Sequence, residues 1–386
     1  MPGHISWAED AANTPWDPAF PSDQSRLNLR YLKHWDKVLD AADARGLVIH
    51  LMLYVGNKNV NWPARLGSAD DIYWHNVMAR FAAHPAVIID VSKEAASYGV
   101  GTDYVMARLK LIHQHNAHKR LVTAHSGLNW SGKCPNCNLT MVSAQTHTGN
   151  HSDGSWYAGI RESMDENPTI PVANVEFMYM AGVERLCNGS AGHDCAAASS
   201  DGCGNDPSKY ERSHCADLRT MRSVMWGFYM ALSSSAWYDC DTAWDFISLP
   251  PADPLLAPAP YRWMVHLKLF WGAVDRTTLE VCGDGGSHSH SHSPSSPLYI
   301  HDPSVQGHCL RAPAPHNAEA ILYVWGRTAF SYRGYTPTPA GSMQAFWFDP
   351  LTGKNETLHV STSNPVLTFT VPDSFKGDAV LRLTAI

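Results

Sequence analysis

Two glutamates, Glu94 and Glu176, stand at positions where chemistry is to be expected. Glu94 closes the apolar run AVIIDVSKE, and Glu176 lies near the end of PVANVEFMY. Two carboxyl groups facing one cleft can share the work of bond cleavage, as one protonates a leaving oxygen while the other attacks an anomeric carbon. The bland alternative is a pair of surface acids at strand ends, held in salt bridges. His125, Gln145 and His147 also end apolar runs, RLVTAHS and MVSAQTH, and are candidates to hydrogen-bond sugar hydroxyls, although a lone histidine is as often a structural group. Trp237 and Tyr238, in SSAWYDC, offer an aromatic platform for the apolar face of a sugar ring, with core packing as the competing use. Tyr54, and Trp62 beside it, follow an earlier run and join the same candidates.

The elements that must position these groups alternate along the first two-thirds of the chain. LVIHLMLYV (47–55) is a continuous apolar run of β-forming residues, preceded by a helical pattern from Leu27 through Tyr31, Trp35, Val38, Leu39 and Ala42. Gly46 falls where a helix C-terminal glycine belongs. Further helices are expected at about 70–83, 103–116, 155–165, from Leu218 onward and at about 260–272. Between them lie the runs at 86–92, 120–126, 141–147, 171–179 and 234–240. Strands buried on both faces and separated by helices predict a parallel α/β sheet or barrel. The fold class is therefore α/β, a (β/α)8 TIM barrel lacking its first strands, because six strands are legible where a barrel needs eight. The missing pair is expected before residue 1. Beyond a Ser/His/Pro-rich segment the period changes to short alternating strands, which predicts a small antiparallel β-sandwich. The expected domains are a barrel over 1–281, a low-complexity linker or insertion over 282–318, and a sandwich over 319–386.

With those elements set out, a resemblance comes into view. YWHNVMARFAAHPAVIIDVSKE is similar to the segment of clan A glycoside hydrolases that carries the acid/base glutamate, and more narrowly to the apiosidase-like TIM-barrel family. NLRYLKHWDKVLDAADARGLVIHLML, RLVTAHSG, MVSAQTH, MRSVMWGFYMALSSSAWY and YRWMVHLKLFWGAV resemble the helices and strands around it. The tail, with AFWFDPLTGK, resembles the small β domain, named for collagen binding, that follows such barrels. The resemblance covers most of 20–280 and 315–386, and implies Glu94 as acid/base and Glu176 as nucleophile. There are departures. Where clan A enzymes carry an asparagine that binds the sugar 2-hydroxyl, this chain has Lys93, and Asp90 stands in place of a frequent tryptophan. An ammonium there favours the ionised form of a neighbouring carboxyl, which is unhelpful to a general acid. Lys93 then points away, meets an anionic substrate, or marks lost activity; Asp90, four residues before Glu94, is the reserve acid.

Composition narrows the remaining choices. A formal charge of −7, with 29 Lys+Arg against 36 Asp+Glu, provides no basic tract for nucleic acid. No apolar run is long enough to span a bilayer. Four of nine cysteines, Cys187, Cys195, Cys203 and Cys215, crowd a Gly/Ser/Ala-rich stretch, which suggests disulfides and an oxidising compartment. Five N-x-S/T sequons, at Asn129, Asn138, Asn150, Asn188 and Asn355, point the same way. The first residues, MPGHISWAED, have no signal-peptide pattern, so secretion is inferred from cysteines and sequons alone. Cys134-Pro-Asn-Cys137 has zinc-knuckle spacing without an answering pair, and reads better as a loop disulfide. His288, His290 and His292 alternate with serine in the manner of a linker. No nucleotide fingerprint is present, and neither metal nor cofactor is expected. The reading is a secreted, monomeric, retaining glycoside hydrolase of plant or microbial cell-wall polysaccharide. Its competitor is a non-catalytic carbohydrate- or matrix-binding protein on a decayed barrel.

Overall fold

Helix α1 (Leu29–Asp43) shows how local sequence sets the elements of this chain. The side chain of Asn28 caps it by accepting from the Tyr31 N–H, and Leu32, Leu39 and Ala42 form its buried stripe. Gly46, at φ +65°, ends the turn that follows: its N–H donates to Asp43 and that of Leu47 to Ala42. The chain then enters strand β1 (Ile49–Met52). In order follow α2 (Ser68–Phe81), β2 (Val87–Asp90), α3 (Thr102–His115), β3 (Val122–Thr123), β4 (Val142–Gln145), α4 (Ser155–Glu166) and β5 (Val172–Glu176). These elements fall where the apolar periods of the sequence predict them.

The computed structural model describes residues 14–55, 61–81, 83–95, 99–125, 138–145, 155–176, 179–180, 215–216, 218–235, 238–239, 259–282, 298–300, 306–313, 319–325, 329–332, 343–360, 366–375 and 377–385. The chain divides into two compact units. The first comprises Met1–His147 and Gly159–Phe177, and the second Thr148–Ala158 and Met178–Ile386.

In the first unit β1, β2 and β3 pair in parallel, with Ile49 opposite Val87, Met52 opposite Asp90 and Asp90 opposite Thr123. Strands β4 and β5 also pair in parallel, and a register shift at Ala144/Gln145 sets Gln145 opposite Glu176. Parallel pairing requires crossovers, and the amphipathic helices supply them. Their apolar faces close on the sheet. Tyr73, Trp74, Val77, Met78 and Phe81 of α2 share a core with Val87, Ile89, Val105, Leu109, Ile112 and Val122. Beneath it Arg108 is buried and paired with Asp70, which also accepts from the Tyr104 hydroxyl, so the charge is compensated where it is desolvated.

From Met178 onward the second unit holds the short strands β6 (Tyr179–Met180) and β7 (Cys215–Ala216), helix α5 (Leu218–Met230), β8 (Ser234–Ser235), β9 (Tyr238–Asp239) and helix α6 (Ala259–Gly272). Strand β6 lies between β7 and β9, parallel to both. The remainder is antiparallel: β10 (Glu280–Val281), β11 (Leu298–Ile300), β12 (Gln306–Arg311), β13 (Glu319–Trp325), β14 (Ala329–Tyr332), β15 (Met343–Phe348), β16 (Asn355–Val360), β17 (Leu367–Thr370) and β18 (Asp378–Ala385). A six-stranded sheet, ordered β10-β12-β13-β18-β15-β16, faces a three-stranded one, β11-β14-β17. Leu322, Val324, Trp347, Leu381 and Leu383 of the first meet Phe330, Tyr332, Leu367 and Phe369 of the second, the core of a sandwich. The other face of the larger sheet is also covered. Trp226 of α5 stacks on Tyr323 at 5.8 Å, and Phe270 of α6 lies 5.1 Å from Phe348. Strand β12 falls inside the segment read from composition as a linker; its residues QGHCLR show no apolar period, yet Cys309 enters the sandwich core and is disulfide-bonded to Cys282. No helix among the described residues is long and apolar enough to cross a membrane.

Candidate active site

Five strand ends of the first unit converge on a cluster of charged side chains. It is built on Asp90, the last residue of β2, which is fully buried. One Asp90 oxygen accepts from the backbone N–H groups of Ser92 (3.0 Å) and His125 (2.9 Å). The other lies 2.8 Å from His50 Nε2 on β1. Both oxygens are thus engaged in joining β1, β2 and the end of β3, and Asp90, the reserve acid of the sequence reading, acts here as a brace. Beyond it the chain stays in parallel register with Val55 as far as Lys93, whose N–H donates to the Tyr54 carbonyl at 2.9 Å. Successive residues of a strand point to opposite faces, so Lys93 and Glu94 would ordinarily diverge. Glu94 instead adopts φ +48°, a left-handed conformation costly for a residue with a Cβ. That turn brings both side chains to one place.

Lys93 points into the site. Its Nζ lies 3.1 Å from Glu176 Oε2 and 3.4 Å from Glu176 Oε1, at the end of β5, and 3.9 Å from Glu94 Oε1. The two carboxylates are therefore no more than 7.0 Å apart at those oxygens, the sum of 3.9 and 3.1 Å. Glu176 is 3% exposed and Glu94 15%. Gln145 donates from Nε2 to Glu94 Oε1 at 2.9 Å, while Glu94 Oε2, also buried, has no hydrogen-bond partner among the described residues. His125 is fully buried, its Nε2 3.7 Å from Glu176 Oε2, too far for a hydrogen bond. Burial lowers the His125 pKa from its ordinary 6.5, against the opposing pull of Asp90 and Glu176, so the ring is neutral near pH 7.

The residues singled out from sequence thus divide. Glu94, Glu176, Gln145 and His125 come together. Tyr54 is buried against Trp62 (4.6 Å) and Tyr104 (5.8 Å), and the part of it that touches the cluster is its carbonyl. His147 and Trp237 lie outside the described residues, as do Cys134, Cys137 and the histidines at 288, 290 and 292; for Tyr238 only the backbone is described, in β9. Sequence reasoning passed over His50, although one histidine in the middle of the apolar run LVIHLML is a visible signal of a buried partner. Among the described residues no group of three or more His, Cys, Asp or Glu could hold a metal ion.

The profile of the apiosidase-like catalytic domain matches residues 4–260. The chain belongs to the apiosidase-like family. It is a glycoside hydrolase by that membership, and its solved structural relatives agree on the fold. A glycoside hydrolase matches at TM-score 0.60 and 16% identity, over 92% of this chain and 77% of that one. A glycoside hydrolase family 5 protein from Bacteroides vulgatus ATCC 8482 matches at TM-score 0.62 and 16% identity, over 92% of this chain and 74% of that one. No curated protein matches the sequence. Within this apiosidase-like chain, Glu94 and Glu176 both belong to the matched region.

Proposed function

We propose that this apiosidase-like protein is a retaining glycosidase of plant or microbial cell-wall polysaccharide, with Glu176 as nucleophile and Glu94 as acid/base. The observation that carries the reading is the approach of the two carboxylates, both reached by one ammonium nitrogen. Retaining enzymes hold their carboxyls about 5–5.5 Å apart and inverting ones about 6.5–9.5 Å, and a nearest-oxygen separation of at most 7.0 Å is compatible with the retaining spacing. The environments of the two carboxylates also differ. Glu176 has a cation on both oxygens, which favours the ionised form needed for attack. Glu94 has one oxygen on Gln145 and one without a partner, a place for the proton it must give. The left-handed conformation of Glu94 is strain of the kind that accumulates at working sites.

The reaction runs in two steps. An oxygen of Glu176 bonds to the anomeric carbon as the bond to the leaving oxygen breaks, and that oxygen takes the Glu94 proton. Water then gives a proton to Glu94 and attacks the same carbon, which frees Glu176. Gln145, His147, Trp237 and Tyr238 belong to the same proposal as contacts of the sugar, together with a secreted location and closure of the parallel strands into a (β/α)8 barrel. The test is a screen of the full chain against plant and algal wall polysaccharides and aryl glycosides, with the anomer of the first product read by NMR. Net retention is expected, and Glu176→Ala is expected to abolish turnover while leaving the unfolding midpoint within a few degrees. Net inversion, or turnover surviving in that variant, overturns the assignment. The competing reading, a non-catalytic carbohydrate binder, draws on the contacts of Lys93 with both carboxylates; it predicts binding of oligosaccharides by calorimetry without any product.

A further inference from the structure

Lys93 is the feature of this site that the proposed reaction does not yet use. Its side chain is 18% exposed and, among the described residues, makes its polar contacts to carboxylates: 3.1 and 3.4 Å to the oxygens of Glu176, and 3.9 Å to Glu94. An ammonium so engaged has little attraction left for an anionic sugar, the more so because Asp90 adds a third carboxylate to the cluster. The other titratable groups facing it among the described residues are His125, kept neutral by burial, and His50, paired with Asp90.

We propose that Lys93 is a positioning residue, the shared counterion of the two glutamates, which holds Glu176 ionised and follows the negative charge to Glu94 as the sugar is transferred. The proposal rests on the glycosidase reading above. When the Glu176 oxygen bonds to the anomeric carbon, its carboxylate becomes a neutral ester. When the leaving oxygen takes the Glu94 proton, Glu94 becomes the carboxylate. The charge of the cluster is unchanged and only its location moves, from the group 3.1 Å from Nζ to the group 3.9 Å from it. A compact ammonium on a flexible stem, with three donors, can follow such a displacement, whereas the planar fork of an arginine is fixed on one partner. The return of the proton from water to Glu94 reverses the transfer. The left-handed turn at Glu94 makes this possible, since without it neighbouring residues would not share a face. Lysine in place of a neutral donor then joins the mechanism, and no acidic substrate is needed to explain it.

Two measurements test the proposal. The first needs no substrate: thermal unfolding of Lys93→Met, Glu176→Gln and the double variant. The single changes are expected to interact, the double variant being no less stable than the worse single one; strict additivity overturns the coupling. The second uses whichever 4-nitrophenyl glycoside the screen finds to be cleaved. Lys93→Met is expected to lose about 100-fold in kcat with KM nearly unchanged. The acid limb of its pH profile should rise, because Glu176 is harder to ionise without the cation. Lys93→Arg should restore the limb but not the full kcat. If Lys93→Met keeps the wild-type kcat and pH profile while Glu94→Ala and Glu176→Ala are inactive, the role of Lys93 is overturned and the glycosidase reading stands. Turnover surviving in Glu176→Ala overturns both.

Discussion

Two of the buried carboxylate–cation contacts, one from each compact unit, are built on opposite plans. In the second unit Asp378 on β18 meets Arg222 on α5, with Nε 3.0 Å from each carboxylate oxygen and Nη2 2.6 Å from Oδ1. The Tyr323 hydroxyl donates to Oδ2 at 3.0 Å, and the guanidinium lies 4.6 Å over the Trp263 ring. Both oxygens and the planar fork are matched, so the charges tolerate burial by holding each other in one geometry. In the first unit Lys93 reaches Glu176 and, less closely, Glu94, with one carboxylate oxygen in the cluster, Glu94 Oε2, lacking a partner among the described residues. A structural ion pair saturates its hydrogen bonds; on the proposed reading, the Lys93 cluster leaves some of its own for a substrate. The comparison separates two kinds of buried charge that look alike in a sequence.

Four measurements can break or sharpen that contrast. The largest effect is expected at the saturated pair. Arg222→Met strands Asp378 without a cation and should cost about 3–5 kcal/mol in urea unfolding, with replacement of both partners by apolar residues recovering part of it. Lys93→Met should cost less, about 1–3 kcal/mol, since Glu176 can take up a proton once the cation is gone. If the two variants lose the same amount, the Lys93 pair is structural and the contrast fails. The third concerns pH. The His125 pKa is lowered by burial, so the unfolded chain binds a proton that the folded chain refuses in the window below 6.5. Stability should therefore fall as pH drops through that window, by at most about 1.4 kcal/mol per pH unit from this group. His125→Asn should flatten the slope, and an unchanged slope would reject the assignment. The smallest effect is a gain. Glu94→Asn should stabilise by about 0.5 kcal/mol, because asparagine accepts the left-handed conformation more readily, while activity is lost. A loss of stability there would mean that the Gln145 hydrogen bond outweighs the strain.

Much of the fold is legible in the sequence because its signals are local. The stripe of Leu32, Leu39 and Ala42, the cap at Asn28 and the stop at Gly46 lie within one helix and its turns, and they dictate α1 without help from the rest of the chain. The change from helical to alternating period marks the sandwich strands β13, β15, β17 and β18 in the same way. Strand β12 escapes such reading because no periodicity marks it; Cys309 is held by a disulfide to Cys282, 27 residues away in sequence. At the site, strand ends and residue type single out Glu94 and Glu176, which the structure brings together around Lys93. They are not enough to rank Asp90, whose partners His50 and His125 are 40 and 35 residues distant.

By itself, then, the sequence determined which segments are strands and helices, which of their ends carry acids, and to which family the chain is similar. Only the tertiary structure decided that Asp90 is a brace, that Tyr54 contributes a carbonyl, and that Lys93 reaches both glutamates. The reason is physical. Periodicity and capping act within a few residues, whereas the Lys93–Glu176 contact joins positions 83 residues apart, and the approach of Glu94 to Lys93 follows a backbone turn that no residue type announces.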